Sequence, residues 1–147
     1  MMSAFKNVGQ LASVVRNSRA NVVLPAPFVR ATDDMAIFVR PSATNSERVF
    51  AALEAFGAPL RTHAVAPGHF AREGEAYRFG IAPLKVEVLT KISGVSFDEA
   101  LQGSKAFELE GFQIPYIGKA ALIANKKSAG RYKDLADEEE LERLVEE

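Results

Sequence analysis

The sequence predicts an α+β fold, a short mixed β-sheet flanked by helices, in a single domain spanning residues 1–147. Three observations predict it. Segments whose apolar residues recur every three or four positions are interleaved with short β-rich runs. Two pairs of those runs are separated only by turn-forming residues, which favours hairpins over the long crossovers of a doubly wound parallel sheet. The chain, 147 residues with 48% hydrophobic and 25% charged, has the length and balance of an ordinary globular domain able to bury a core.

The elements follow in order. Phe5, Val8, Leu11, Ala12 and Val15 lie on one helical face, so a helix is expected over about 3–17. ANVVLPAPF is apolar but cut by Pro25 and Pro27, which predicts an edge strand or an extended loop. MAIFVR, closed by Pro41, is the first full strand. Thr44 and Glu47 have capping-box spacing, and Val49, Ala52, Leu53 and Phe56 then line one face until Gly57, giving a helix over about 45–56. Residues 58–76 read as loop, with room for a short helix from His69 to Arg72.

YRFGIAP and LKVEVLTKI form two strands joined at Pro83. In the second, Lys85, Glu87 and Leu89 alternate with Val86 and Val88. Ser96 and Glu99 make a second capping box for a short helix ending at Gly103. KAFELEGFQIPYIG is a hairpin turning near Gly111, and KAALIANKKSAG and DLADEEELERLVEE are two final helices, the last capped by Asp134.

Composition excludes several classes of function. The absence of cysteine removes disulfides, thiol nucleophiles and cysteine metal sites, and fits a reducing compartment. No apolar run approaches the roughly 18 residues of a membrane span. The N-terminus lacks the continuous apolar segment of a signal peptide, so the cytoplasm is the expected compartment and no membrane partner is expected. His63 and His69 lack the helical i, i+4 spacing of a zinc pair and read as loop residues. A net charge of −1 gives no global footprint for nucleic acid, so any polyanion must meet a local patch.

The most informative stretch is RATDDMAIFVRP, residues 30–41, with Asp33 and Asp34 at the mouth of a strand. Residues two apart share a strand face, so Asp34 pairs with position 36, which is alanine. Two acids there would make a divalent-metal pair, and this chain has half of one. Asp33 falls on the opposite face of a regular strand and reaches the same side only through a bulge. Taken alone, the two aspartates also fit a solvated strand entry, and Glu87 also fits a cross-strand ion pair.

RATDDMAIFVRP, NSERVFAALEAFGAPL, FGIAPLKVEVLTKISGVSFDEA and GFQIPYIGKAALIANKKSAGRYKDLADEEEL, in this order and spacing, resemble the small nucleotidyltransferase-fold proteins related to the AbiEii toxin family. The resemblance covers roughly residues 28–145 and implies a polymerase-β-like nucleotidyltransferase core. It also implies a chemistry in which two divalent ions, Mg²⁺ or Mn²⁺, hold the attacking and leaving oxygens of a nucleoside triphosphate. On that pattern Asp34 matches the first acid of an Asp-x-Asp pair, Ala36 replaces the second, and Glu87 stands for the third, with Asp33 an additional candidate ligand. The family's Gly-Gly pair, set on a turn into a helix ahead of the acids, aligns with Arg19 and Ala20.

Lys126, Lys127, Arg131 and Lys133 form a basic cluster that would meet a phosphate or an RNA backbone, or else simply complement a helix end beside Asp134 and Asp137. The resemblance therefore implies a nucleotidyltransferase-fold protein with a degenerate site. Two alternatives remain open: an active, Mg²⁺-dependent enzyme moving a nucleotide to an RNA or protein acceptor, and a non-catalytic module binding a cognate antitoxin protein.

Overall fold

The computed structural model describes residues 8–25, 34–81, 84–109 and 111–129. Its elements are α1 (Val8–Ser18), β1 (Val22–Val23), β2 (Asp34–Val39), α2 (Ala43–Phe56), β3 (Ala76–Ile81), β4 (Leu84–Leu89), α3 (Phe97–Gln102), β5 (Lys105–Leu109), β6 (Phe112–Tyr116) and α4 (Lys119–Ala129). The architecture is α+β with a small mixed sheet. Residues 1–7 and the expected last helix around Asp134 lie outside the described residues.

The main sheet runs β1-β2-β4-β3, with β1 antiparallel to β2, β2 parallel to β4, and β3 antiparallel to β4. β5 and β6 form a separate hairpin that turns at Gly111, where φ is +88° and glycine carries no Cβ penalty. That hairpin is tied to the sheet edge. Leu24 N–H donates to the Pro115 carbonyl at 2.9 Å, and Ile117 N–H donates to the Leu24 carbonyl at 2.9 Å.

Alternation along the strands divides the core between the two faces of the sheet. Met35, Ile37 and Val39 of β2 and Val86 and Val88 of β4 pack with Leu11, Val15, Val49, Leu53 and Phe56 from α1 and α2. On the other face Val23 and Phe38 pack with Phe97 and Ala100 of α3 and with Ile117 and Leu122. The alternation expected for β4 is present, with Lys85 exposed and Val86 and Val88 buried.

Two local expectations need correction. α2 begins at Ala43, capped by the Ser42 hydroxyl accepting from Asn45 N–H at 3.1 Å, and not by the Thr44 and Glu47 pair. Thr44 already lies within the first turn, because Pro41 closes the preceding strand and Ser42 is the next residue able to cap. No helix forms at His69–Arg72, where the chain makes turns.

That turn-rich segment is held by α2. The fully buried Ser46 hydroxyl donates to the Pro67 carbonyl at 2.6 Å and accepts from Phe70 N–H at 2.9 Å. Ser46→Ala leaves both backbone groups without that partner and is expected to cost about 2 kcal/mol. Urea denaturation checks this, and a loss below about 0.5 kcal/mol would show that the segment is anchored by Phe70 packing alone.

Candidate functional site

The face of the sheet opposite α1 and α2 carries Glu87, and the β2 position of Asp34 falls in the neighbouring row. In the parallel ladder Asp34 is in register with Lys85, and Ala36 with Glu87. In the antiparallel ladder Glu87 is in register with Arg78, and Lys85 with Gly80. Side chains alternate, so these strand positions lie on one face in two rows: Asp34, Lys85 and Gly80, then Ala36, Glu87 and Arg78. A third row, Phe38, Leu89 and Ala76, begins with the phenylalanine that α3 covers.

The positions of Asp34 and Glu87 are thus on adjacent strands, one row apart. The cross-strand neighbour of Glu87 is Ala36, the place where a second acid would stand. Glu87 is engaged from its other side. Arg78 Nε donates to Glu87 Oε2 at 2.6 Å, and the two side chains are 79% and 31% exposed. An ion pair this exposed contributes about 0–1 kcal/mol, so it does not by itself bar a ligand from Glu87.

Charge balance weighs more heavily. The described side chains of the two rows are Glu87, Arg78 and Lys85, whereas a two-ion centre needs a clear excess of anionic oxygens. Among the described residues no group of three or more His, Asp or Glu side chains comes together as a metal cluster. Among the described side chains, Glu87, with Arg78 on one oxygen, is the single carboxylate of these two rows.

The remaining sequence-predicted residues lie elsewhere. Asp33, Arg131 and Lys133 fall outside the described residues. Lys126 lies with Lys127 in the last turn of α4, and both make interactions there. That half of α4 docks on the loop after β4: Asn125 Nδ2 donates to the Ser93 carbonyl at 2.9 Å. The described part of the basic cluster therefore belongs to a different element from the two strand rows.

Arg19 and Ala20 do not lie on a turn into a helix. They follow α1 and lead into β1, with Arg19 at φ +61°. The cause is local, since Ser18 Oγ donates to the Val15 carbonyl and accepts from Ala20 N–H, closing the helix end. The 26–33 segment between β1 and β2 also contains no glycine.

Both histidines are pinned loop residues. His63 Nδ1 lies 2.7 Å from the Tyr77 hydroxyl, and His69 Nε2 donates to the Ala76 carbonyl at 3.0 Å. Burial raises the Tyr77 pKa above its usual 10.0. A cleft of about 280 Å³ lies between α2 and the segment after it, lined by residues including Phe50, Glu54, Leu60, Arg61 and Val65. Among the described residues its lining holds no second carboxylate or histidine beside Glu54.

Arg78, Gly80 and Lys85 are the neighbours of Glu87 that sequence reasoning missed as site residues. The signal was present. Counting outward from the Ile81 and Leu84 pair sets Arg78 opposite Glu87 and Gly80 opposite Lys85.

No family model, no curated protein and no solved structure matches the chain.

Proposed function

We propose that this protein is a nucleotidyltransferase-fold protein of the AbiEii-like group whose metal and nucleotide site is degenerate, so that metal-dependent nucleotide transfer is lost. The observation that carries the reading is the register of β2 on β4. It sets Ala36 beside Glu87, one row from Asp34, where a second carboxylate would complete a metal pair. Without that acid, a developing charge of the transfer reaction lacks its counterion, and loss of one such electrostatic contact typically costs about 10²–10³ in rate.

The test is calorimetric titration of the full chain with Mg²⁺ or Mn²⁺ and each nucleoside triphosphate, with Asp34→Ala as the control. The expected result is no metal-dependent nucleotide binding that the control abolishes. Binding that requires both the metal and Asp34 would overturn the degenerate-site reading. It would favour the active enzyme, whose support is the placement of Glu87 on the strand adjacent to Asp34.

A further inference from the structure

The same sheet face holds an arrangement that the metal chemistry does not use. Arg78 and Lys85 are diagonal neighbours across β3 and β4, and Gly80, opposite Lys85, leaves the corner between them without a side chain. Diagonal positions in an antiparallel pair lie about 7–8 Å apart, within joint reach of two long cationic side chains. Among the described residues, a Cβ placed on Gly80 would meet the Leu84 carbonyl at 3.7 Å and Lys85 Cγ at 3.9 Å. Among the described residues, the stem of Lys85 therefore runs beside a notch that no side chain fills.

The donors at this notch are accessible. Arg78 is 79% exposed and uses its Nε on Glu87, which leaves the terminal N–H groups of its planar fork for an anion. Lys85 is exposed, and among the described residues it has no ion-pair partner. Glu87 fixes one edge of the guanidinium, so the free edge is held in place before a ligand arrives, which reduces the ordering cost of binding.

We infer that Arg78, Gly80 and Lys85 form a metal-independent site for the phosphate groups of a small di- or triphosphate. The inference rests on the reading that this face has lost its divalent ions: the two cationic side chains supply the positive charge that those ions would otherwise bring. The guanidinium takes a pair of phosphate oxygens through its fork, and the ammonium takes a third as a point charge. The side-chain-free Gly80 lets the phosphate approach the strand.

This assignment predicts signs opposite to those of a metal site. Glu87→Gln keeps an acceptor oxygen for Arg78 Nε while removing the negative charge, and Asp34→Ala removes an acid from the row of Lys85, so both variants bind an anion as tightly as the parent or more tightly. In a metal site both would abolish binding.

The experiment is titration of the full chain with inorganic pyrophosphate, and separately with ATP, in EDTA. Saturable binding is expected for both ligands. Equal affinities would place the recognition in the phosphates, and a large gain for ATP would add a contact to the nucleoside. Arg78→Gln and Lys85→Gln should each weaken binding by about tenfold or more, the worth of a hydrogen bond to a charged group. Gly80→Val suits a β-strand and leaves the charge unchanged, so the fold is retained while the notch is filled and binding falls. Thermal melts of each variant confirm folding.

Pyrophosphate binding unaffected by Gly80→Val and by the charge variants would overturn the inference. Absence of binding with or without Mg²⁺ would overturn it and leave the degenerate-site reading in place. Binding that requires Mg²⁺ and disappears in Asp34→Ala would overturn both.

Discussion

Phe38→Ala is expected to lower the unfolding free energy by about 3–5 kcal/mol, the usual cost of deleting a buried phenyl ring. Phe38 is 2% exposed and meets Phe97 edge to face, with ring centroids 5.2 Å apart. It is the residue through which β2 receives α3 on the face that carries Ala36 and Glu87. One residue beyond the strand, Arg40 repeats the connection, with its guanidinium over the Phe97 ring at 4.7 Å and bonded to Asp98 at 2.7 Å. The Asp98 side chain is 79% exposed, so that pair contributes little and the ring contact dominates.

Urea denaturation should show the midpoint falling with the slope preserved. Phe38→Leu, which keeps most of the apolar volume, should cost less than about 1.5 kcal/mol. A loss under about 1 kcal/mol for the alanine variant would mean that α3 does not depend on this ring. If the strand rows are organised from the α1 and α2 side, pyrophosphate binding at Arg78 and Lys85 survives in the folded fraction of the variant.

The features legible in the sequence are those decided by neighbours along the chain. Ser96 and Glu99 form their capping box as expected, with the Ser96 hydroxyl accepting from Glu99 N–H and the Glu99 carboxylate accepting from Ser96 N–H. The hairpin turning at Gly111 was legible because its turn and its alternation are both local. The alternation of β4, with Lys85 and Glu87 opposite Val86 and Val88, was legible for the same reason.

What the sequence did not disclose depends on distant pairing. The partner of Ala36 is Glu87 through a parallel ladder, and the register of a parallel pair is set by packing after a long crossover instead of by a turn. Arg78 was within reach of sequence reasoning by counting along the hairpin, but its importance emerges only beside Glu87. The family resemblance aligns Arg19 and Ala20 with the positions of a Gly-Gly turn into a helix, with the glycines lost. The Ser18 hydroxyl closes α1 there and sends the chain into a strand.

The start of α2 was misread for a reason that leads to the second large effect. Asn45, third in the helix and 1% exposed, is a buried polar hub joining three segments. Its Oδ1 accepts from Asn21 N–H at 2.7 Å, and its Nδ2 donates to the Asn21 carbonyl at 3.1 Å and to the Arg40 carbonyl at 3.0 Å. These bonds fix the entry to β1, the exit of β2 and the first turn of α2 together. Asn45→Ala deprives the Asn21 N–H of its partner, while the Asn21 carbonyl keeps Arg40 N–H at 3.2 Å and the Arg40 carbonyl keeps Ser42 N–H at 3.0 Å. An N–H left unpaired costs about 1–3 kcal/mol and the two carbonyls each lose one of two bonds, so the expected loss is about 2–3 kcal/mol.

Asn45→Asp separates the hub from the helix. An acid in the first turn of an exposed helix stabilises it by about 0.3–1 kcal/mol through the macrodipole. Here the carboxylate would retain the bond from Asn21 N–H but face two carbonyl oxygens with no hydrogen to donate, so the aspartate variant should also be destabilised at neutral pH. Protonation restores one donor, and the deficit relative to the parent should narrow as pH falls through the range of the variant's carboxyl. A stabilised aspartate variant would show that α2 is held by its cap alone. A deficit unchanged by pH would show that the lost Nδ2 bonds are not what Asn45 contributes.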